Sequence, residues 1–218
     1  TFVACNTADD DLICWLLAQQ PRLRELQLEF CLELTERTLH QLRSVPQSLE
    51  CTTTGCFFHP SPMLTAVTVL HNQLYALRMN SDEGIARCFA LASPSNRQAT
   101  GPLPRFMSMI REGYSIMLRW REAWVDDVGP CTLVDDDMGS VRAGKLFGVV
   151  LIDEEGVKAA FQWVLEAQRA GSGYEGCWMT SGVRGEHLRF ALGPDGVPKG
   201  TCMQEPPWGS PLSRPGAV

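Results

Sequence analysis

The stretch PRLRELQLEFCLELTERTLHQL, residues 21–42, carries the clearest structural signal in this chain of 218 residues. Leu26 and Leu28 alternate with Gln27, which is the period of a strand with one buried face. Thr35 follows at the place of a helix N-cap, because a threonine side chain accepts a hydrogen bond from the backbone at the start of a helix. The stretch therefore predicts a strand and then a helix.

The leucine and cysteine positions of this stretch recur in weakened form every 25 or 26 residues through the first ~100 residues. The positions that predict the strand and those that predict the helix recur with the same spacing along the chain. One strand–helix unit cannot bury its own apolar edge, so the repetition predicts stacked units that share a core. The strand markers are Phe2 and Cys5; Leu23, Leu26, Leu28 and Cys31; Leu49, Thr52, Thr54 and Cys56; and Leu74, Leu77, Met79 and Asp82.

The pattern resembles leucine-rich repeats, most closely the cysteine-containing type that follows F-boxes in ubiquitin-ligase adaptors. The resemblance covers residues 1–92, and it implies a solenoid of parallel strands with outer helices. A substrate-recognition adaptor of a ubiquitin ligase is an alternative function, but the motif alone does not imply it, because no F-box precedes the repeats in this sequence. The residues that carry it are Leu23, Leu26, Leu28, Cys31 and Thr35.

The sequence changes character after the last repeat. Residues 93–104, SPSNRQATGPLP, are rich in Ser, Pro and Gly and predict a linker. GYSIMLRW at 113–120 and KLFGVVLID at 145–153 predict strands. EEGVKAAFQWVLEAQRAG at 154–171 predicts a helix, because it opens with acidic residues and its apolar residues recur at spacings of three and four.

Together these signals predict an α/β chain in four parts: a short leucine-rich-repeat solenoid, a linker, a small α/β segment and an extended tail. The predicted bounds are 1–92 for the repeats, 93–104 for the linker, 105–203 for the α/β segment and 204–218 for the Pro- and Gly-rich tail.

Composition excludes some functions. The formal net charge is −6 and no run of Lys and Arg offsets it, which argues against nucleic-acid binding. Apolar runs such as LFGVVLI at 146–152 are far shorter than the ~20 residues that cross a bilayer, so no transmembrane segment is expected.

The nine cysteines include no CxxC pair. This usage predicts buried free thiols in a reducing, intracellular compartment, the cytoplasm or an organelle interior. No metal or cofactor is expected, because the densest carboxylates, Asp135–Asp137, lack the alternating spacing of a Ca²⁺ loop.

One catalytic alternative stays open. Cys177 and His187 lie on adjacent candidate strands and would meet across a hairpin, with Asp195 or Glu186 orienting the imidazole. This pair would serve a thiol-dependent hydrolase or transferase.

The function favoured by the sequence is non-enzymatic: a protein–protein interaction or scaffold subunit of a larger assembly, with other protein subunits as partners. Exposed positions of the repeat sheet, two flanking aromatic residues and a tail tryptophan are the candidate contacts, because aromatic residues dominate interface hot spots. The tail itself is expected to become ordered only on a partner. The candidate residues are Glu25, Gln27, Glu29, Phe30, Thr53, Tyr75, Arg78, Asn80 and Trp208. A solvated sheet face without a partner is the alternative for this surface.

Overall fold

The computed structural model describes residues 2–5, 8–29, 31, 34–44, 49–54, 56, 59–134, 141–187 and 191–204. The helices are α1 (Asp10–Gln19), α2 (Glu36–Ser44), α3 (Ala66–Arg78), α4 (Asp82–Ala90), α5 (Pro94–Thr100) and α6 (Leu103–Gly113), followed by a 3₁₀ turn at Ser115–Leu118. The strands are β1 (Phe2–Cys5), β2 (Glu25–Glu29), β3 (Glu50–Thr54), β4 (Trp120–Val134), β5 (Val141–Asp153), β6 (Lys158–Ala167), β7 (Trp178–Glu186) and β8 (Thr201–Gln204).

The first three strands form a parallel sheet in the order β1-β2-β3. Phe2 lies opposite Leu26, and Leu26 lies opposite Cys51. Leu26 and Leu28 are fully buried, as their alternation with Gln27 predicts.

Helices α1 and α2 are joined at their starts by one carboxylate. Asp10 accepts hydrogen bonds from the backbone N–H of Thr35 at 2.9 Å and from the hydroxyl of Thr38 at 2.7 Å. Burial pulls the pKa of Asp10 upward, but the hydrogen bonds from Thr35 and Thr38 outweigh burial and hold the pKa below its ordinary value. The ionised carboxylate therefore fastens the two helices together.

Helices α3 and α4 pack at very short range. Each begins at a side-chain cap, Thr65 for α3 and Ser81 for α4. Gly84 permits the close approach: a Cβ there would overlap the carbonyl oxygen of Ala76 and lie 2.9 Å from the Cβ of Met79.

The later strands form a five-stranded antiparallel sheet in the order β7-β6-β5-β4-β8. Its inner face packs against α3, α4 and α6 in one core. The indole N–H of Trp120 on β4 donates to the carbonyl of Leu74 on α3 at 3.3 Å, which joins the sheet to the helical layer. Large side chains that this core buries almost completely are Trp120, Phe147, Leu151, Trp163 and Leu165.

Strands β7 and β8 lie at opposite edges of this sheet, so the chain between them crosses the sheet. Ala191, in that connection, packs with Val150, Ile152 and Ala160, which are buried on the outer face. The crossing segment therefore covers this part of the face that the helices leave open.

The predicted fold class, an α/β leucine-rich-repeat solenoid, is wrong for this chain. The main unit is an antiparallel five-stranded sheet covered by helices, and the repeat copy expected at 74–92 is helix α3, a connection and helix α4. The expected linker at 93–104 holds α5 and the start of α6. Apolar spacing alone did not separate these helices from repeat strands, because Leu74 and Leu77 fit both patterns.

Two further local predictions fail and one holds. The helix expected at 154–171 is a turn followed by β6, in which Phe161, Trp163 and Leu165 alternate into the core. The strand expected at 113–120 is instead the end of α6, the 3₁₀ turn and the start of β4. The strand expected at 145–153 is confirmed as part of β5.

Candidate functional site

A cavity of about 110 Å³ lies between the helical layer and strands β6 and β7. Its apolar wall comes from α3, α6, the 3₁₀ turn and β7, and includes Leu77, Phe106, Ile110, Met117 and Val183. Helices supply one wall of the cavity and the sheet supplies the other.

The polar floor of this cavity is a closed hydrogen-bond network. The indole N–H of Trp163 donates to Gln73 Oε1 at 3.1 Å and to Thr180 Oγ1 at 3.2 Å. The Thr180 hydroxyl donates to Gln73 Oε1 at 2.5 Å, and Gln73 Nε2 donates to the carbonyl of Cys88 at 3.1 Å. Because the members are buried and bonded to one another, the network holds Gln73 in one orientation.

Helix α5 is brought to the cavity by a short pairing with β7. Thr180 donates its N–H to Leu91 at 3.0 Å and accepts from the N–H of Ser93 at 2.9 Å. Asn96 on α5 then donates its side-chain N–H to the carbonyl of Thr180 at 3.1 Å. These bonds place an amide side chain beside the floor network, at the cavity wall.

The cavity lining is mostly apolar, with a few polar side chains. Among the described lining residues none carries a carboxylate or an imidazole. Burial raises the pKa of the Cys88 thiol to about 12, so this sulfur is protonated and a poor nucleophile at neutral pH. The site offers shape, apolar surface and a few fixed polar groups.

A second, open cleft of about 780 Å³ lies where the first strand–helix units meet the loop between β6 and β7. His59, Tyr174 and Cys177 are among its lining residues. Cys177 is buried, and its thiol donates weakly to the carbonyl of Glu175 at 3.9 Å.

The catalytic pair considered from the sequence does not form. Cys177 precedes β7 and His187 follows it, and the nine residues of this strand hold them roughly 30 Å apart at ~3.3 Å per residue. The two residues also line different clefts. The described positions therefore do not bring Cys177 and His187 together.

The predicted partner-binding residues are spread over different surfaces. Glu25 and Gln27 lie side by side on β2, where Gln27 donates to the Glu25 carboxylate at 2.8 Å. Glu29 lies at the end of β2 and Thr53 lies on β3.

The remaining partner-binding predictions fall on the helical part or beyond the described residues. Tyr75 is buried on α3 with its ring centre 5.7 Å from that of Trp120, so it is a core residue. Arg78 ends α3, and Asn80 follows with a φ of 48° in the connection to α4. Phe30 and Trp208 lie outside the described residues.

The sequence predicts no metal site, and the described residues cover only part of the chain to which this prediction applies. The carboxylates Asp135–Asp137 lie outside them. Within the described ranges, no group of three His, Cys, Asp or Glu side chains is placed to hold a metal ion. In the same part of the chain, no helix has the length and apolar composition to cross a membrane.

Sequence reasoning missed the floor network. Gln73 is a polar residue inside the apolar helical run that contains Leu70, Leu74 and Leu77, and this interruption was the available signal. Its partner Thr180 lies 107 residues away in sequence, and no local pattern links the two.

Comparison with known proteins gives one family. No curated protein matches the chain, and no solved structure matches it. The match to a family covers residues 62–184, which begin just before α3 and end near the end of β7. This segment contains Gln73, Trp163 and Thr180 of the cavity floor. Because the match spans more than half of the chain, the protein belongs to the DUF4864 family, defined by a domain of unknown function.

Proposed function

We propose that this protein is a non-enzymatic binding protein whose helix–sheet cavity takes a small, largely apolar ligand with one hydrogen-bonding group. The observation that carries the proposal is the cavity itself, an apolar pocket over a fixed polar floor. The raised pKa of Cys88 supports binding without covalent chemistry.

The volume limits the ligand. A dry apolar cavity of about 150 Å³ is known to hold benzene, so a cavity of about 110 Å³ suits a somewhat smaller body. The amide side chain of Asn96, which lies at the wall beside the floor network, would fix the orientation of a single hydroxyl or carbonyl group.

Isobutanol is a suitable probe because it combines a branched apolar body with one hydroxyl. We expect saturable shifts in the methyl NMR signals of Met117 and Val183, with millimolar affinity. Small ligands gain at most ~1.5 kcal/mol per non-hydrogen atom, so the five such atoms of isobutanol limit its affinity to a dissociation constant of a few micromolar, and millimolar binding lies well within this limit.

Two variants that replace an alanine by leucine form the matched test. Ala92→Leu adds bulk at a buried lining position and is expected to abolish the saturable shifts. Ala99→Leu makes the same change at an exposed position of α5 and is expected to leave them unchanged. If Ala92→Leu unfolds, Leu77→Ala serves instead, because it enlarges the cavity and should shift the preference from isobutanol towards phenol. Equal shifts in wild type, Ala92→Leu and Ala99→Leu would contradict the proposal.

A second candidate function is that of an interaction subunit in a larger assembly. It is favoured by exposed apolar side chains on β1 and α1: Val3, Leu12 and Trp15. An adaptor that presents a protein to a ubiquitin ligase would be one case of it. The seven cysteines that the described residues hold as free thiols fit a reducing compartment for either candidate. Affinity purification of the full chain, followed by mass spectrometry, tests this candidate.

A further inference from the structure

A third, open cleft of about 730 Å³ lies at the end of the antiparallel sheet where β6 begins and β7 ends. We call it the end cleft. Ile116, Ala159 and Phe161 give it an apolar wall, and all three also pack against the core. Polar and charged side chains line the same cleft: Lys158, Glu186 and His187.

Tyr114 lies between the end cleft and the helix–sheet cavity. Among the described lining residues, it is the one that borders both spaces. Its ring packs against Phe161, with the ring centres 6.1 Å apart and the planes tilted by 44°. Open space lies beside it, because Gly113 lines the end cleft and a Cβ there would meet no atom within 4 Å. The described partition between the two spaces is therefore a single aromatic side chain.

The inner face of β6 runs through both spaces. Trp163 lies at the floor of the cavity, whereas Phe161 and Ala159 line the end cleft. Since every second side chain of a strand points to the same face, all three pack on the helical side of the sheet. Trp163 and Ala159 are four residues apart, which is roughly 13 Å at ~3.3 Å per residue. A ligand that lies along β6 would reach from the polar floor into the end cleft.

We propose that the cavity and the end cleft form one binding site for an unbranched aliphatic chain with a hydrogen-bonding group at one end. The polar end lies beside Asn96 at the cavity wall. The chain then passes Tyr114, whose ring turns aside, and ends against Ile116 and Ala159. This inference rests on the proposed function, because it names the class of ligand that the cavity takes.

The volumes and the lining favour a long ligand over a compact one. The cavity alone, at about 110 Å³, is smaller than the ~300–1,000 Å³ of most ligand sites, and the end cleft brings the space into this range. The fixed polar network lies at one end of the path, at the cavity floor. Apolar side chains such as Met117 and Val183 line the cavity between this floor and Tyr114. This distribution matches a ligand with one polar end.

The alcohols 1-butanol and 1-octanol test the length of the site. They share the hydroxyl group and differ by four methylene groups. A methylene group that leaves water completely gains up to about fourfold in affinity. The end cleft is open to solvent on one side, so we expect about half of this free energy, or about twofold for each methylene group. The dissociation constant of 1-octanol should therefore be about 16-fold lower than that of 1-butanol.

Methyl NMR signals report where each alcohol binds. 1-Butanol should shift the signals of Met117 and Val183 in the cavity and leave those of Ile116 and Ala159 in the end cleft unchanged. 1-Octanol should shift all four signals with one dissociation constant.

Two variants that replace an alanine by tryptophan test the path of the chain. Ala159→Trp fills the end cleft and should bring the ratio of the two dissociation constants close to one. Ala143→Trp makes the same change at an exposed position of β5 and should leave the ratio as in wild type. If circular dichroism shows that Ala159→Trp does not fold, Ile116→Trp fills the same cleft and takes its place.

The outcomes separate this inference from the proposed function. If 1-butanol binds in the cavity but 1-octanol binds no more tightly and leaves Ile116 unshifted, the inference is overturned and the proposed function stands. Equal ratios in Ala159→Trp and Ala143→Trp would overturn it as well. If neither alcohol gives saturable shifts of Met117 and Val183, the proposed function fails and the inference fails with it.

Discussion

Gly84→Ala gives the sharpest test of how the helical layer is built. The added methyl group would overlap the carbonyl oxygen of Ala76 and lie 2.9 Å from the Cβ of Met79, closer than side-chain carbons approach in folded proteins. The nearest obstacle is backbone, which cannot rotate away. Helix α4 must therefore move outward from α3, and the carbonyl of Cys88 that binds Gln73 must move with it.

The expected cost follows from two opposing effects. Overpacking a tight contact costs about 3 kcal/mol at the upper end of its usual range, which applies because the obstacle is a carbonyl group. Alanine regains about 1 kcal/mol of helix propensity over glycine. We expect the free energy of unfolding to fall by about 2 kcal/mol, the difference between these terms.

Gly113→Ala is the matched control. Gly113 ends α6, and a Cβ there would meet no atom within 4 Å. This variant should raise stability by up to about 1 kcal/mol. Urea unfolding, followed by tryptophan fluorescence, measures the free energy of unfolding of both variants. The reasoning about the α3–α4 contact is refuted if Gly84→Ala is as stable as wild type while Gly113→Ala behaves as expected.

Three other predictions concern buried polar groups. Burial lowers the pKa of His71 below its ordinary value of 6.5. As the pH drops below about 6.5, the unfolded chain therefore takes up a proton before the folded one does, and the free energy of unfolding falls. His71→Gln should flatten this part of the pH profile of the free energy of unfolding, measured with urea. Arg142 donates to the buried Glu166 carboxylate at 2.5 Å. Arg142→Met should lower the free energy of unfolding by about 3 kcal/mol in the same assay, because it leaves the buried carboxylate without its partner. A loss below about 1 kcal/mol would contradict the structural role of this ion pair. Iodoacetamide should alkylate the partly exposed Cys131, although slowly at neutral pH because burial raises the pKa of this thiol too, and it should spare Cys88 until the protein is denatured. Peptide mass spectrometry reads the labelling, and native labelling of Cys88 would argue against its burial.

Patterns that depend on near neighbours could be read from the sequence. The alternation of Leu26 and Leu28 identified β2 and its buried face, and the burial predicted for Cys31 and Cys56 is confirmed. The apolar run at 145–153 was recognised as a strand because its length and β-branched residues suit one.

Patterns with two possible periods could not be resolved. In β6 the same residues satisfy spacings of two and of four, since Phe161 and Leu165 lie four apart with Trp163 between them. The packing of both neighbouring strands against β6 decides for a strand, and this information is not local. The candidate site was hidden for the same reason, because Gln73 and Thr180 meet only after the helices dock on the sheet.

The crossing segment between β7 and β8 also has a consequence for synthesis of the chain. During synthesis, β4 to β7 leave the ribosome before β8, which is the last described element. The edge of β4 that pairs with β8 therefore stays unpaired until β8 has emerged. Until residues 191–204 have emerged, Val150 and Ile152 lack part of their cover, and a neighbouring nascent chain could pair with β4. A chain truncated at residue 184, where the family match ends, would remain in this aggregation-prone state.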